Sequence, residues 1–372
     1  MNDLKPMIYD CIDAGEFATA LKHLNTYAKS NPSDPSINVI LEMINDMIVD
    51  EKNRIYDKPN PNKVDEGFYE IMQKLKNKSE DDIYNMVLDN FNKMKPSIYI
   101  SRKYIEENYT KYPLWGAMNI EAGNYEVFRN LAKMLYKKYD DFLWLHERLA
   151  DAQSKNVLFA ILAAWVDLDY TKLQVYKEKE QPEYYDPNIF PRRNDEVFVD
   201  LGAYFGDSAL SFIQLYKSYK SIYCYEVSPN TFANLKKNLS SFPNIHFKQK
   251  AAGKEAGTLY LTLNQFISGA NSVGETGELE VDVVSIDEDV KEPISFIKMD
   301  IEGSEQSALS GCARHIKENH PHLAISTYHG FDDIIAIPKL IDKIEPGYTF
   351  YMRYHGKALP SEYSLMGVWN AE

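Results

Sequence analysis

Val197-Phe198-Val199-Asp200-Leu201-Gly202-Ala203-Tyr204-Phe205-Gly206-Asp207-Ser208 decides the fold. An apolar run ends in an aspartate, a glycine turn follows, and a helical pattern opens at Asp207 or Ser208. A strand that is apolar on both faces belongs inside a parallel sheet covered by helices. In such sheets ligands bind beyond the carboxyl ends of the strands. Glycine there lets the main chain approach a ligand with no Cβ between them. The first turn of the new helix offers unpaired N–H groups. The spacing is GxxxG rather than GxGxxG, which argues against a dinucleotide pyrophosphate and so against a nicotinamide enzyme.

The flanking sequence repeats this alternation. Strands are predicted at 196–201, 221–226, 245–249, 259–263, 279–285, 295–300 and 323–328, with helices at 208–216, 230–239, 305–317 and 332–344. Two late runs, 348–354 and 364–369, read as a closing pair. The pattern is α/β with a parallel sheet. Upstream the chain reads helical. Phe17, Ala20, Leu21, Leu24 and Ala28 form one stripe, Asn31-Pro32-Ser33-Asp34-Pro35 breaks it, and Ile37, Ile40, Leu41 and Ile44 form a second. This hairpin resembles one tetratricopeptide unit, but no second copy follows, and an ordinary helical hairpin is the simpler expectation. Ile55–Lys63 reads as a polar linker, and helices are predicted at 66–75, 80–94, 124–136 and 142–167. Gln181–Arg193, rich in proline and charge, reads as a domain boundary. The expected organisation is a helical hairpin over 1–54, an α-helical region over 64–180 and an α/β domain over 194–372.

With 44% hydrophobic and 26% charged residues over 372 positions, the chain can bury a core, which excludes wholesale disorder. Its 55 acidic and 41 basic side chains leave a net charge of -14, which argues against a general nucleic-acid binder. Cys11, Cys224 and Cys312 are scattered, with no CxxC, so neither a disulfide framework nor a zinc knuckle is expected. The longest apolar run, Val157 to Val166, is too short to span a bilayer. The first residues hold no apolar signal core. The expectation is a cytoplasmic protein with no membrane span.

Two carboxylates draw the eye to the carboxyl ends of the predicted strands. Asp200 ends a buried strand, where a charge needs a specific partner. Glu226 ends the next strand, about 20 residues past the glycine turn, and an acceptor-only carboxylate there suits a ribose diol. Asp207 and Ser208 face the turn or simply cap the helix.

From about Asp195 to Trp369 the chain resembles the FkbM family of class I S-adenosylmethionine-dependent methyltransferases. The resemblance rests on VFVDLGAYFGDS, YCYEVSP and FIKMDIEGSEQSALSG, in that order. The most specific part is Lys298-Met299-Asp300-Ile301-Glu302-Gly303-Ser304-Glu305, followed by Leu309 and Gly311. It covers a little under half the chain and implies a seven-stranded Rossmann-like fold with S-adenosylmethionine as cofactor. It implies that Gly202, Ala203 and Gly206 line the methionine end and that Asp200 lies near the ammonium. Glu226 takes the ribose, flanked by Val227 and Ser228, and Asp207, Ser208 and Asp300 adjoin the cofactor. Lys250-Ala251-Ala252 is expected to end the third strand, where small residues either leave room for adenine or simply pack.

Methyl transfer is an in-line displacement at a sulfonium methyl, so orientation supplies much of the rate. A hydroxyl acceptor must also lose a proton. His329 follows the fifth strand and is the expected base, since its ordinary pKa lies near working pH. Asp300 and Glu302 are further catalytic candidates. Alternatively Asp300, Glu302, His329 and Asp332 hold a divalent cation. Glu302 and Glu305 also suit a helix N-terminus, and Lys298, inside a buried strand, is expected to pair with a carboxylate. Asn264–Gly277 is a lid or a long connection. Arg353, His355 and Lys357 hold a phosphate or uronate, or form a solvated face. The resemblance supplies the acceptor class: a sugar hydroxyl of a glycan, polysaccharide precursor or secondary metabolite. One alternative is nitrogen methylation of an amino sugar or amino-acid-derived glycan substituent. Another is a helical adaptor on a degenerate methyltransferase fold. The helical region is a candidate for self-association or for a protein partner.

Overall fold

The structure is a computed structural model that describes residues 4, 7–8, 11, 17–32, 34, 37, 40–41, 44, 65–94, 101–111, 115–262, 272–274, 277, 279–357 and 359–370. Helix α1 (Phe17–Ser30) precedes α2 (Glu66–Leu75), α3 (Glu80–Lys93), α4 (Arg102–Lys111), a hairpin of β1 (Met118–Asn119) and β2 (Asn124–Tyr125), α5 (Glu126–Lys137), α6 (Tyr139–Arg148), α7 (Ala152–Val166) and α8 (Thr171–Val175). Then come β3 (Glu196–Leu201), α9 (Asp207–Tyr216), β4 (Tyr219–Tyr225), α10 (Pro229–Leu239), β5 (Ile245–Lys248), β6 (Ala251–Ala252), β7 (Gly257–Thr262), β8 (Ser272–Gly274) and β9 (Leu279–Val284). The chain continues through α11 (Ile286–Asp289), β10 (Phe296–Met299), α12 (Glu305–Ser310), α13 (Ala313–Asn319), β11 (His322–Ser326), α14 (Asp333–Ile344), β12 (Tyr348–Tyr354) and β13 (Tyr363–Trp369).

Seven strands form one sheet in the order β5-β4-β3-β10-β11-β13-β12. All neighbours are parallel except β13, which runs against both β11 and β12. Every residue of β3, β10 and β11 is buried, which explains why they are mostly apolar, with Glu196, Asp200 and Lys298 as buried charges among them. From β3 the chain moves to β4 on one side, while β10 lies on the other. That reversal of strand order opens a crevice at the carboxyl ends of β3 and β10.

The structure departs from the sequence reading in several places. Strands 259–263 and 279–285 do not join the parallel sheet. They become β7 and β9 of a separate sheet of order β6-β9-β7-β8. The third strand of the main sheet ends at Lys248, and Ala251 instead pairs with Val283 in the small sheet. Its side chain packs with Val281 and Val283, and Val227 lies against them. The predicted helix 142–167 is two helices. At the break Leu149 bridges Phe350, Ala150 N–H donates to Phe350 O at 2.9 Å, and Asp151 caps α7 by accepting from Ser154 N–H. The predicted helix 305–317 also divides, at Gly311, where a Cβ would lie 2.0 Å from Gly253 O. Helix α4, the β1–β2 hairpin and α8 were not foreseen. In α4 (RKYIEENYTK) only a sparse apolar pattern exists to read. The linker at 55–63 lies outside the described residues, as does 264–277 except at 272–274 and 277.

Near the start of the chain Ala20 and Leu24 of α1 bury against Ile8, Ile40 and Ile44, the pairing that the two stripes imply. Parts of the turn between them, at 33 and 35, lie outside the described residues. Further on, one buried cluster runs from Phe68 and Phe91 through Ile161 to Ile297, Phe350 and Leu365, so α2–α8 and the main sheet share a core. Segment 181–193 is packed rather than solvent-borne: Tyr184, Tyr185, Ile189 and Phe190 are buried. Tyr185 stands edge-on to Phe198 and Phe212. Among the described residues, no helix is long and apolar enough to cross a membrane.

Candidate active site

The crevice begins at the turn after β3. Gly202 has φ +78°, and a Cβ on it would lie 1.8 Å from Asp300 O, so the turn runs directly against the end of β10. The Gly202 and Ala203 N–H groups both donate to Tyr225 O, at 3.1 and 2.9 Å. Ala203 is fully buried and packs into the core. Gly206 (φ +89°) is the N-cap of α9, and a Cβ there would press on Leu235 and Leu239 at 3.0–3.2 Å. Asp207 is exposed in the first turn, while Ser208 turns inward and donates to Asp200 Oδ2.

Asp200 does not face the crevice. It is fully buried, and Lys298 Nζ lies 3.2 Å from its Oδ1. The same ammonium donates to Gly202 O at 2.7 Å. Burial raises the Asp200 pKa against the pull of Lys298. Burial alone would lower the Lys298 pKa, but the charges of Asp200 and Asp300 outweigh it and raise it. The pair therefore holds the glycine turn through Gly202 O. The expectation that Lys298 pairs with a carboxylate matches this arrangement.

Glu226 follows β4 directly. Its Oε2 accepts from Tyr204 N–H at 3.1 Å and its Oε1 from Ser228 N–H at 2.8 Å. Half-buried beside the glycine turn, it has a pKa raised by burial, opposed by those two hydrogen bonds. Val227 is half-buried next to it.

The opposite wall is acidic. Asp300, at the end of β10, accepts from Tyr184 O–H at 2.9 Å on Oδ2 and from Tyr328 O–H at 3.4 Å on Oδ1. Glu302 stands in the left-handed region at φ +55°. His329, 4% exposed, lies between three carboxylates. Its Nδ1 is 2.9 Å from Glu305 Oε1, and its Nε2 is 3.4 Å from both Asp300 Oδ1 and Glu302 Oε2. Glu305 is fixed by Ile301 N–H and Gly303 N–H, at 2.9 and 3.1 Å.

These contacts reverse the reason for making His329 the base. Burial pulls its pKa down, but Glu305, Asp300 and Glu302 outweigh burial and carry it up to about 10. At neutral pH it is an imidazolium with no lone pair to offer. Burial pushes Glu302 up to about 8, with Asp300 and Glu305 adding to burial against the charge of His329. Burial also works to raise Asp300, but the charges of His329 and Lys298 and the Tyr184 hydroxyl hold it below its usual range.

Asp332 does not join this group. Its side chain is 51% exposed and lies 3.6 Å from Lys138 Nζ. Among the described residues, the set whose ligand atoms all fall within 4.8 Å of one another is Asp300, Glu305 and His329. In the late basic cluster the Arg353 guanidinium is already taken up by two carboxylates. Arg353 is buried, 2.9 Å from Asp151 Oδ2 and 3.2 Å from Asp186 Oδ2, and His355 is half-buried. Tyr184, Tyr328 and Glu305 were not foreseen as site residues. Tyr184 lies 116 positions from Asp300, and no spacing links the two.

A seven-stranded sheet with only β13 reversed, a glycine turn at its switch point and an acid after the second strand define a class I methyltransferase fold. Residues 200–350 match the family model described as the Methyltransferase FkbM domain, so this stretch is an FkbM methyltransferase domain and the chain is an S-adenosylmethionine-dependent methyltransferase. A crystal structure of the methyltransferase FkbM from Methylobacillus flagellatus is similar, with a TM-score of 0.55 and 23% identity. The likeness covers 72% of this chain and 70% of that one, more than residues 200–350 alone supply, and it shows the shared fold. An rRNA methylase from Streptococcus thermophilus is more distant, with a TM-score of 0.33, 13% identity and coverage of 49% of this chain and 90% of that one. No curated protein matches the sequence.

Proposed function

We propose that this protein transfers the S-adenosylmethionine methyl group to a sugar hydroxyl of a glycan, a polysaccharide precursor or a secondary metabolite. The supporting observation is Glu302, a partly exposed acid at the end of β10 and 3.4 Å from His329 Nε2; burial pushes its pKa up, so its ionised form is a stronger proton acceptor than an ordinary carboxylate. On the cofactor side, Glu226 receives the ribose diol and the turn Gly202–Gly206 receives the methionine end. Ala203, Asp207 and Ser208 shape that turn, Val227 and Ala251 border the adenine, and Asp300 adjoins the sulfonium. Asp200 acts through Lys298. In the transfer step the acceptor oxygen bonds to the methyl carbon as the carbon–sulfur bond breaks. The hydroxyl proton passes to Glu302, and S-adenosylhomocysteine leaves. His329 supplies a fixed positive charge that keeps Asp300 and Glu302 together.

Nitrogen methylation is a second reading, favoured by the acidity of the wall, where burial raises Glu302 and the Asp300 charge adds to it, as it does for Glu183 in the segment before β3. A divalent cation also suits the donor set. The ion would displace the proton from His329 Nε2, which would then ligate it with Asp300 and Glu302, while Glu305 faces Nδ1. Such an ion would orient a sugar diol and acidify one hydroxyl.

The test is methyl-tritium transfer from labelled S-adenosylmethionine to a panel of neutral methyl hexosides, amino sugars and uronates, with Mn²⁺ or with chelator. Label on neutral hexosides at oxygen supports the proposal. Label confined to amino sugars at nitrogen replaces it with the second reading, and label found only at the uronate carboxylate, as a methyl ester, contradicts both. Equal rates with Mn²⁺ and with chelator remove the cation.

A further inference from the structure

The acidic wall is completed from outside the matched domain. Tyr184, 7% exposed, belongs to the proline-rich segment before β3. Its hydroxyl reaches the ends of two central strands, 2.9 Å from Asp300 Oδ2 and 3.2 Å from Ser326 Oγ. Lys298 Nζ lies over its ring, 5.2 Å from the centroid. Burial and the Asp300 charge hold the phenol far above its ordinary pKa, so it remains a donor. The Asp300 side chain keeps 26% of its surface open. Tyr328 O–H and His329 Nε2 each lie 3.4 Å from Oδ1. The Ser326 hydroxyl also hydrogen-bonds this carboxylate, so Tyr184, at 2.9 Å from Oδ2, and Ser326 hold it together. The neighbouring strand end is held in a similar way: Trp115 Nε1–H, from the helical half, donates to Tyr328 O at 3.0 Å.

We infer that Tyr184 is a positioning residue, whose hydroxyl fixes the plane of the Asp300 carboxylate so that it faces the place of the transferred methyl. The inference rests on the cofactor assignment above. A carboxylate fixed in advance stabilises a positive centre without reorganising when the centre arrives. A carboxylate free to rotate loses part of that advantage.

Sinefungin tests this without an acceptor, because it carries an ammonium where S-adenosylmethionine carries the sulfonium methyl. S-Adenosylhomocysteine carries neither. Both are titrated by calorimetry into the full chain, wild type and Tyr184→Phe, Asp300→Asn and the double variant. The wild type is expected to prefer sinefungin by roughly tenfold, the scale of one charge-assisted hydrogen bond. Tyr184→Phe should lose most of that preference while its affinity for S-adenosylhomocysteine stays within about twofold. Asp300→Asn should lose the preference too, and the double variant should lose no more than Asp300→Asn alone. A parallel fall for both ligands in Tyr184→Phe would make the residue merely structural and overturn the inference. An unchanged preference in that variant, or no preference in the wild type, overturns it as well. If the wild type binds neither ligand, the cofactor assignment itself fails and the inference falls with it.

Discussion

Asp300, Glu302 and Glu305 converge on the imidazole of His329, and their charges decide its protonation against the cost of burying it. From the sequence a histidine after the fifth strand looks like a base, because its ordinary pKa is near neutrality. That reading lacks Glu305, which looks like a plain helix-terminus acid until the fold turns it onto Nδ1. The folded pKa of His329, about 10, lies above its unfolded value. Its pairing therefore stabilises the fold fully below about pH 6.5 and is lost as the pH rises through about 10. Nitrogen-15 spectra should show both ring nitrogens protonated at pH 8, and a neutral tautomer there would contradict this charge assignment. The place of Glu226 directly after β4 and the pairing of Lys298 with a carboxylate were legible, because strand ends and buried charges carry their constraints locally. Tyr184 was not, since only tertiary structure brings it to Asp300.

At the scale of elements, the strand–turn–helix unit β3–α9 was readable almost to the residue. Its glycines differ in what they avoid. Gly202 faces a main-chain carbonyl at 1.8 Å from a built Cβ, and Gly206 faces leucine side chains at 3.0–3.2 Å. Side chains can shift, whereas the end of a central strand cannot. Gly206→Ala should cost about 1–2 kcal/mol, the left-handed penalty for an L-residue. Gly202→Ala should cost clearly more and should abolish cofactor binding. Urea unfolding with cofactor calorimetry checks the order, and equal costs would contradict the close approach to Asp300. The break in the predicted helix 142–167 was hidden for a physical reason. Leu149 is apolar and helix-compatible, and the break arises from its bridge to Phe350, some 200 residues away.

Across the whole molecule, the helices and the sheet meet through buried charge as well as apolar packing. Arg353 of β12 joins Asp151 before α7 to Asp186 in the segment before β3. Asp186 and Arg353 are each almost fully buried, so removing the guanidinium strands a carboxylate. Arg353→Met should destabilise the fold by roughly 3–5 kcal/mol. Thermal unfolding should still be one transition, since the core is continuous across α2–α8 and the main sheet. Two separated transitions in the wild type would contradict that continuity. Sequence texture changes sharply at 181–193 because the flanking secondary structure changes, and that signal says nothing of whether the two sides pack together.

The central claim is that the crevice between β3 and β10 holds S-adenosylmethionine with its ribose on Glu226. Calorimetric titration of S-adenosylmethionine and S-adenosylhomocysteine into the wild type and Glu226→Ala tests it most directly. Loss of a charge-assisted hydrogen bond should weaken binding of both by roughly tenfold or more, about 1.5–3 kcal/mol, with no change in folding. Equal affinity in the variant, or no binding by the wild type at millimolar ligand, would contradict it.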